Sequence, residues 1–160
     1  MTLQESGALK IKLECIDENQ IKTLAERISK IIYPGIKFML TGDLGTGKTT
    51  FAGYLINSLS DKKFNVSSPT FSIVKEYNSV YKIVHADLYR IADPQEIEYI
   101  DLFNDNEAVY IIEWAEFLDY LMPEERIEIY LEYCGISSRN VIIKGYGDKN
   151  KKLIEYMEVK

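Results

Sequence analysis

One octapeptide, Gly42-Asp43-Leu44-Gly45-Thr46-Gly47-Lys48-Thr49, dictates much of the architecture around it. It matches the P-loop pattern G-x-x-x-x-G-K-S/T. Its glycines let the backbone curl so that successive N–H groups point inward at phosphate oxygens. A helix that starts there adds the positive end of its dipole. Lys48 can reach the β- and γ-phosphates of a nucleotide, and the Thr49 hydroxyl can ligate Mg²⁺. With glycine at about 7% of residues, four specified positions match by accident in well under about 1% of chains this long. The flanks agree with the motif: an apolar run at 36–41 precedes it and a helical pattern at 51–59 follows. The loop therefore predicts binding of a nucleoside triphosphate.

The remaining segments supply the elements such a loop needs. Leu9, Ile11, Leu13 and Cys15 alternate with Lys10, Lys12 and Glu14, the period of a strand with one buried face. Asp17 followed by Gln20 resembles a capping box at the head of a helix. Its apolar residues Ile21, Leu24, Ala25, Ile28 and Ile31/Ile32 recur at helical spacing until Pro34-Gly35 stops it. Strands are predicted at 71–77 and 80–86 around an Asn78-Ser79 turn, and again at 109–112. Helices are predicted at 94–103, with Pro94 in the tolerated first turn, and at 115–122, closed by Pro123. Residues 127–132 alternate and are expected to pair with 140–146 across a loop at 135–138, while 148–160 fits either a strand or a helix. No repeat, linker or low-complexity block divides the 160 residues, so one domain spanning 1–160 is expected. Strands alternating with helices, then antiparallel pairs, imply an α/β fold. The expected form is a three-layer P-loop NTPase-type domain with a mixed, largely parallel central sheet and antiparallel C-terminal strands.

A P-loop protein needs a carboxylate beside its metal, usually at the end of an apolar strand. Glu113 ends the run 109–112 and Asp87 ends the run 83–86, both where a parallel strand would deliver its carboxyl end to a nucleotide crevice. The residues alone leave open which of the two orients an attacking water. His85, the sole histidine, reads as a packed strand residue before it reads as a base or metal ligand. Trp114, the sole tryptophan, reads as core, although its place beside Glu113 allows a clamping role. Ser67-Ser68-Pro69-Thr70 is either a plain turn or a switch loop whose Thr70 senses the γ-phosphate or the metal. Arg90 is either a phosphate-stabilising arginine or a surface ion-pair partner. No Asn-Lys-x-Asp and no Asp-x-x-Gly motif accompanies the loop, which favours ATP over GTP. The lack of an evident arginine-rich lid weakens a small-molecule kinase reading.

Composition narrows the roles further. The chain carries 25 acidic and 19 basic residues, a net charge of -6. Nucleic-acid binding draws most of its affinity from Lys and Arg, so stand-alone binding is disfavoured. RNA would be reached through a local basic patch or a partner. Lys149, Lys151 and Lys152 read as a solvated tail. The two cysteines, Cys15 and Cys134, are too few for a disulfide framework, and no spacing suggests a zinc site. The first nine residues lack the features of a signal peptide, and no apolar run approaches the roughly 18 residues of a membrane span. A cytoplasmic protein with no membrane role is expected.

Taken together, several segments resemble the TsaE family (formerly YjeE). They are the loop extended through Thr50-Phe51, then Val66-x-Ser68-Pro69-Thr70-Phe71, His85-x-Asp87-Leu88-Tyr89-Arg90 and Glu113-Trp114-Ala115-Glu116. Order and spacing match from about residue 17 to residue 139, and the combination is far more specific than the P-loop alone. The resemblance implies a bacterial ATPase required to make N6-threonylcarbamoyladenosine at position 37 of tRNAs that read ANN codons. It implies work with the TsaD–TsaB pair, in which TsaD transfers the threonylcarbamoyl group to tRNA and ATP hydrolysis resets the complex. By motif position, Gly42, Gly45, Thr46, Gly47, Lys48, Thr49 and Thr50 would hold the phosphates of ATP, and Thr49 with Glu113 would hold Mg²⁺. Lys48, Asp87 and Glu113 would be the catalytic residues. Thr70 would belong to a mobile switch segment, and Trp114 would couple the site to its partners. Glu18, at the start of the first helix, and Ser138, in the late hairpin, would border the nucleotide pocket. The chain departs from the family at 96–100, Glu-Ile-Glu-Tyr-Ile, where a Glu-x-Gly turn often stands. The expected activity is low basal hydrolysis stimulated by partners. A small-molecule P-loop kinase and a non-hydrolysing, ATP-dependent assembly switch are the alternatives.

Overall fold

The computed structural model describes residues 3–5 and 7–159. In chain order it contains β1 (Leu3–Glu5), β2 (Ala8–Ile16), α1 (Glu18–Ser29), β3 (Lys37–Thr41), α2 (Lys48–Ser58), β4 (Val74–Asn78), β5 (Lys82–Asp87) and α3 (Gln95–Ile100). Then follow β6 (Val109–Glu113), a 3₁₀ segment (Ala115–Leu121), β7 (Arg126–Cys134), β8 (Ser138–Tyr146) and α4 (Asp148–Val159). The strands form one eight-stranded sheet in the order β1-β2-β8-β7-β3-β6-β5-β4. Its middle, β7-β3-β6-β5, is parallel. β8, β2 and β1 extend one side and β4 closes the other, all antiparallel. This is the α/β fold of a P-loop NTPase-type domain.

Alternation along the strands splits the core into two layers. Phe38 and Leu40 of β3, Ile111 of β6 and Ile129 of β7 join residues of α1, α2 and α4 in one cluster. Met39, Tyr110 and Ile112 point the other way, into a smaller cluster with Ile97 of α3 and Leu118 of the 3₁₀ segment. Every residue of β6 is buried, as expected of a strand covered on both faces. Each fully buried Leu, Ile or Phe contributes about 1.5–3 kcal/mol, so the centre of the sheet gives the strand ends a rigid base.

α1 starts as its sequence predicts. The Gln20 amide donates to Asp17 Oδ1 (2.8 Å) and the Asp17 amide donates to Gln20 Oε1 (2.9 Å). Such a cap is worth about 1 kcal/mol. Other boundaries differ from expectation for local reasons. β4 starts at Val74 rather than residue 71, because Ile73 sits in the left-handed region (φ 64°), which breaks the extended backbone just before it. α3 stops at Ile100, short of residue 103, because Asp101 is left-handed (φ 47°). Residues 115–121 are a 3₁₀ segment kinked at Asp119 (φ 51°), not an α-helix. The tail is the helix α4, whose Leu153, Ile154 and Met157 pack into the larger cluster.

The two cysteines, although too few for a framework, form one disulfide with Cα atoms 5.3 Å apart. Cys15 lies in a β-bulge between Leu13 and Ile16 (φ 47°), and the bulge aims its side chain at the end of β7. No helix among the described residues is long and apolar enough to cross a membrane.

Candidate functional site

The carboxyl ends of β3, β6 and β5 open onto a cleft of about 420 Å³, where an open α/β sheet presents its ligand crevice. Register sets the two candidate acids side by side: Leu40 pairs with Glu113, and Glu113 pairs with Asp87. Both acids are buried, Glu113 to 2% exposure and Asp87 to 6%. A buried charge must be hydrogen-bonded or paired, and both are.

The P-loop joins β3 to α2. Gly42 has φ 138°, and a Cβ there would stand 2.3 Å from the Leu131 carbonyl oxygen, so only glycine lets the chain leave β3 so close to β7. Gly47 is the N-cap of α2 and supplies no side-chain cap, which leaves the first N–H groups of the helix open to an anion. Gly45, Gly47, Lys48, Thr49 and Thr50 line the cleft. Thr46 is buried, and its hydroxyl braces the loop by donating to the Asp43 carbonyl (2.8 Å).

Lys48 is folded back onto its own loop. Its ammonium donates to the carbonyls of Gly42 (2.6 Å) and Asp43 (2.9 Å) and lies 4.0 Å from the centre of the Trp114 ring. Burial pushes its pKa below the ordinary lysine value, and the carboxylates of Glu113, Glu116, Asp87 and Asp43 oppose that shift. The group is a cation on weak acceptors, able to exchange two carbonyls for phosphate oxygens.

Two chains of hydrogen bonds meet in the cleft. Thr49 Oγ1 donates to Glu113 Oε1 (2.7 Å), and Glu113 Oε2 lies 2.6 Å from His85 Nε2. Opposite, the Ser68 hydroxyl donates to Asp87 Oδ2, the Tyr89 amide donates to Asp87 Oδ1 (2.9 Å), and Thr70 donates to Ser68 Oγ (3.2 Å). Thr70 therefore reaches Asp87 through Ser68. Trp114 adopts φ 56° and contacts Tyr89 (4.8 Å) and Phe117 (6.0 Å). Arg90 does not line the cleft; its guanidinium lies 4.7 Å over the ring of Phe71.

Two residues that carry no motif support the loop. The Tyr133 hydroxyl donates to the Leu44 carbonyl (2.9 Å), and Arg139 Nε donates to the Thr46 carbonyl (2.8 Å). Only the cross-strand pairing of Tyr133 with Arg139 brings them to it. Glu18 and Ser138 do not line the cleft. Glu18 accepts from the Tyr54 hydroxyl of α2 (2.5 Å), and Ser138 pairs with Cys134 at the hairpin, next to Arg139. Strand pairing puts these two neighbourhoods at the end of the sheet that carries the P-loop, and the Cys15–Cys134 bond ties them together there.

Thr49 Oγ1 and Glu113 Oε1 are hard oxygen donors at the head of α2. Such a pair suits Mg²⁺, which takes one or two protein oxygens and completes its shell with water and phosphate oxygens. Among the described residues no group of three or more His, Cys, Asp or Glu could hold a metal. The donor set fits a cation that arrives with a nucleotide.

Residues 15–141 match the family model described as "Threonylcarbamoyl adenosine biosynthesis protein TsaE". The tRNA threonylcarbamoyladenosine biosynthesis protein TsaE of Bacillus subtilis is 32% identical over 146 residues, 91% of this chain and 92% of the relative. The protein of the same name from Haemophilus influenzae is 36% identical over 138 residues, 83% of this chain and 85% of the relative. The crystal structure of Bacillus subtilis YdiB superposes with a TM-score of 0.75 at 27% identity, covering 99% of this chain and 97% of that one.

Proposed function

The chain belongs to the TsaE family, and from that premise we propose that it is the ATP-hydrolysing component of the machinery that forms N6-threonylcarbamoyladenosine at position 37 of ANN-decoding tRNAs. It would act in the cytoplasm on the TsaD–TsaB complex. One observation carries the reading: the open head of the P-loop helix faces two adjacent buried acids, each hydrogen-bonded to hydroxyls on opposite walls of one cleft. A helix head alone favours phosphate binding; paired acids add the means to act on the phosphate.

In this reading Gly42, Gly45, Thr46, Gly47, Thr49 and Thr50 form the phosphate cradle, and Lys48 leaves the Gly42 and Asp43 carbonyls for the β- and γ-phosphates. Thr49 and Glu113 hold Mg²⁺, which when bound neutralises charge on the transferring phosphoryl group. Glu113, not Asp87, accepts from the hydroxyl of Thr49 at the head of α2, which favours Glu113 as the metal-side acid. Asp87, tied to the 68–70 segment, is then the group that orients the attacking water. Thr70 senses the γ-phosphate through the same segment. Trp114 transmits the position of Lys48 to Tyr89 and Phe117, and so to a partner surface. Glu18 and Ser138 border the pocket beyond the phosphates. No arginine lines the cleft among the described residues, so a charge-stabilising group supplied in trans accounts for low basal turnover. The net charge of -6 favours reaching tRNA through the partners.

The test is ATP hydrolysis by the purified protein with Mg²⁺, alone and with TsaD–TsaB and tRNA. Stimulation by the partners is expected, together with loss of tRNA modification in Lys48→Ala, Asp87→Ala and Glu113→Ala. Modification that survives in Glu113→Ala would turn the reading into a non-hydrolysing switch.

A further inference from the structure

His85 lies in the middle of β5, with no exposure to solvent. It pairs in register with Ile111, two residues before Glu113 on β6, so its side chain and that of Glu113 share the face of the sheet that α2 covers. Nε2 stands 2.6 Å from Glu113 Oε2, whereas Nδ1 has no hydrogen-bond partner. A buried carboxylate needs a donor at each oxygen. Thr49 supplies the donor at Oε1, and among the described residues only His85 is seen to supply one at Oε2. Without the imidazole, Oε2 would face the apolar layer that holds Ile83 and Ile111, and the carboxylate would rotate toward any other donor. A neutral imidazole protonated at Nε2 meets the requirement and leaves only a lone pair at Nδ1, so no N–H is stranded.

We propose that His85 is a positioning residue: it grips the outer oxygen of Glu113 and thereby aims the inner oxygen at Thr49, where Mg²⁺ enters with the nucleotide. This rests on the reading of Thr49 and Glu113 as the metal-holding pair. Hydrogen bonds behind a ligating group fix its orientation, and their loss typically lowers metal affinity about 10- to 100-fold.

The experiment measures Mn²⁺, as a paramagnetic stand-in, binding to the full chain saturated with a non-hydrolysable ATP analogue. Expected for His85→Leu, which keeps bulk but removes the donor, is a metal affinity about 10- to 100-fold weaker, with unchanged affinity for the metal-free nucleotide. His85→Gln, whose amide N–H can reach Oε2, is expected to recover most of that loss. A histidine that only fills space would leave metal and nucleotide affinities moving together, or neither moving, and would overturn the proposal. If His85→Leu does not fold, the ¹⁵N spectrum of the wild type decides, since the chain has a single histidine. The expected result is a proton on Nε2 and an Nε2 signal that shifts when Mg²⁺ joins bound nucleotide but not with nucleotide alone. A proton on Nδ1 with none on Nε2, or no response to Mg²⁺, overturns the assignment. Wild-type metal affinity in Glu113→Gln would remove the metal-holding pair itself, and the role of His85 with it; loss in Glu113→Gln beside an unaffected His85→Leu would sink His85 alone.

Discussion

In the proposed function, a bound triphosphate draws Lys48 away from Trp114. Cation and ring are 4.0 Å apart, and the same ammonium holds two loop carbonyls. Phosphate oxygens are stronger acceptors than carbonyls, because the bond is then charge-assisted on both sides. Addition of ATP should therefore change the emission of Trp114, the only tryptophan. Lys48→Met should alter that emission in the free protein, abolish its response to ATP and lower hydrolysis about a hundredfold or more. A nucleotide-induced change that persists in Lys48→Met would show that the indole reports something else. At this scale the sequence was informative where chemistry is local. Lys48 and Thr49 are legible because loop, lysine and hydroxyl are consecutive. Ser68 and His85 were present in recognisable segments, but their bonds to Asp87 and Glu113 cross 19 and 28 positions, and nothing in their neighbours foretells them.

At the scale of elements, the β7–β8 hairpin acts as a scaffold for the P-loop. Tyr133 and Arg139 hold the carbonyls of Leu44 and Thr46, and the guanidinium stacks 4.5 Å over the Tyr133 ring. A hydrogen bond from a charged donor is worth about 1.5–3 kcal/mol, so Arg139→Ala should weaken ATP binding about tenfold or more, and Tyr133→Phe, a neutral bond, about fivefold. Calorimetric titration checks both, and unaltered affinities would mean that the loop keeps its shape without the hairpin. The disulfide anchors the same hairpin to β2. Protein purified without reductant should show no free thiol on titration with a thiol reagent in denaturant, and two after reduction. Opening the bridge should lower stability by about 2–4 kcal/mol in urea titrations. Detection of free thiols before reduction would exclude the bond. Alternation and spacing made the hairpin, α1 and the central strands readable. They missed the ends of β4 and α3, because those ends follow from left-handed backbone at Ile73 and Asp101, residues with no usual preference for it beyond a weak one in Asp.

For the whole molecule, both apolar layers close on one sheet, so neither can open without exposing strands the other covers. We therefore propose one cooperative unit: urea unfolding followed by Trp114 emission, which watches the cleft, and by far-ultraviolet circular dichroism should give coincident transitions. Separate midpoints would split the chain into two units. The sequence by itself determined the class of fold, the glycine-rich loop between β3 and α2 and the two candidate acids, since each is written in contiguous residues whose periodicity or chemistry acts over a few bonds. Tertiary structure alone decided which acid faces Thr49, what holds Glu113 from behind, how the 67–70 segment reaches Asp87 and which hairpin residues brace the loop. Those contacts arise from strand order and register. Glu113 stands between Leu40 and Asp87 because β6 lies between β3 and β5, and that order is set by the packing of the whole sheet, not by any one segment.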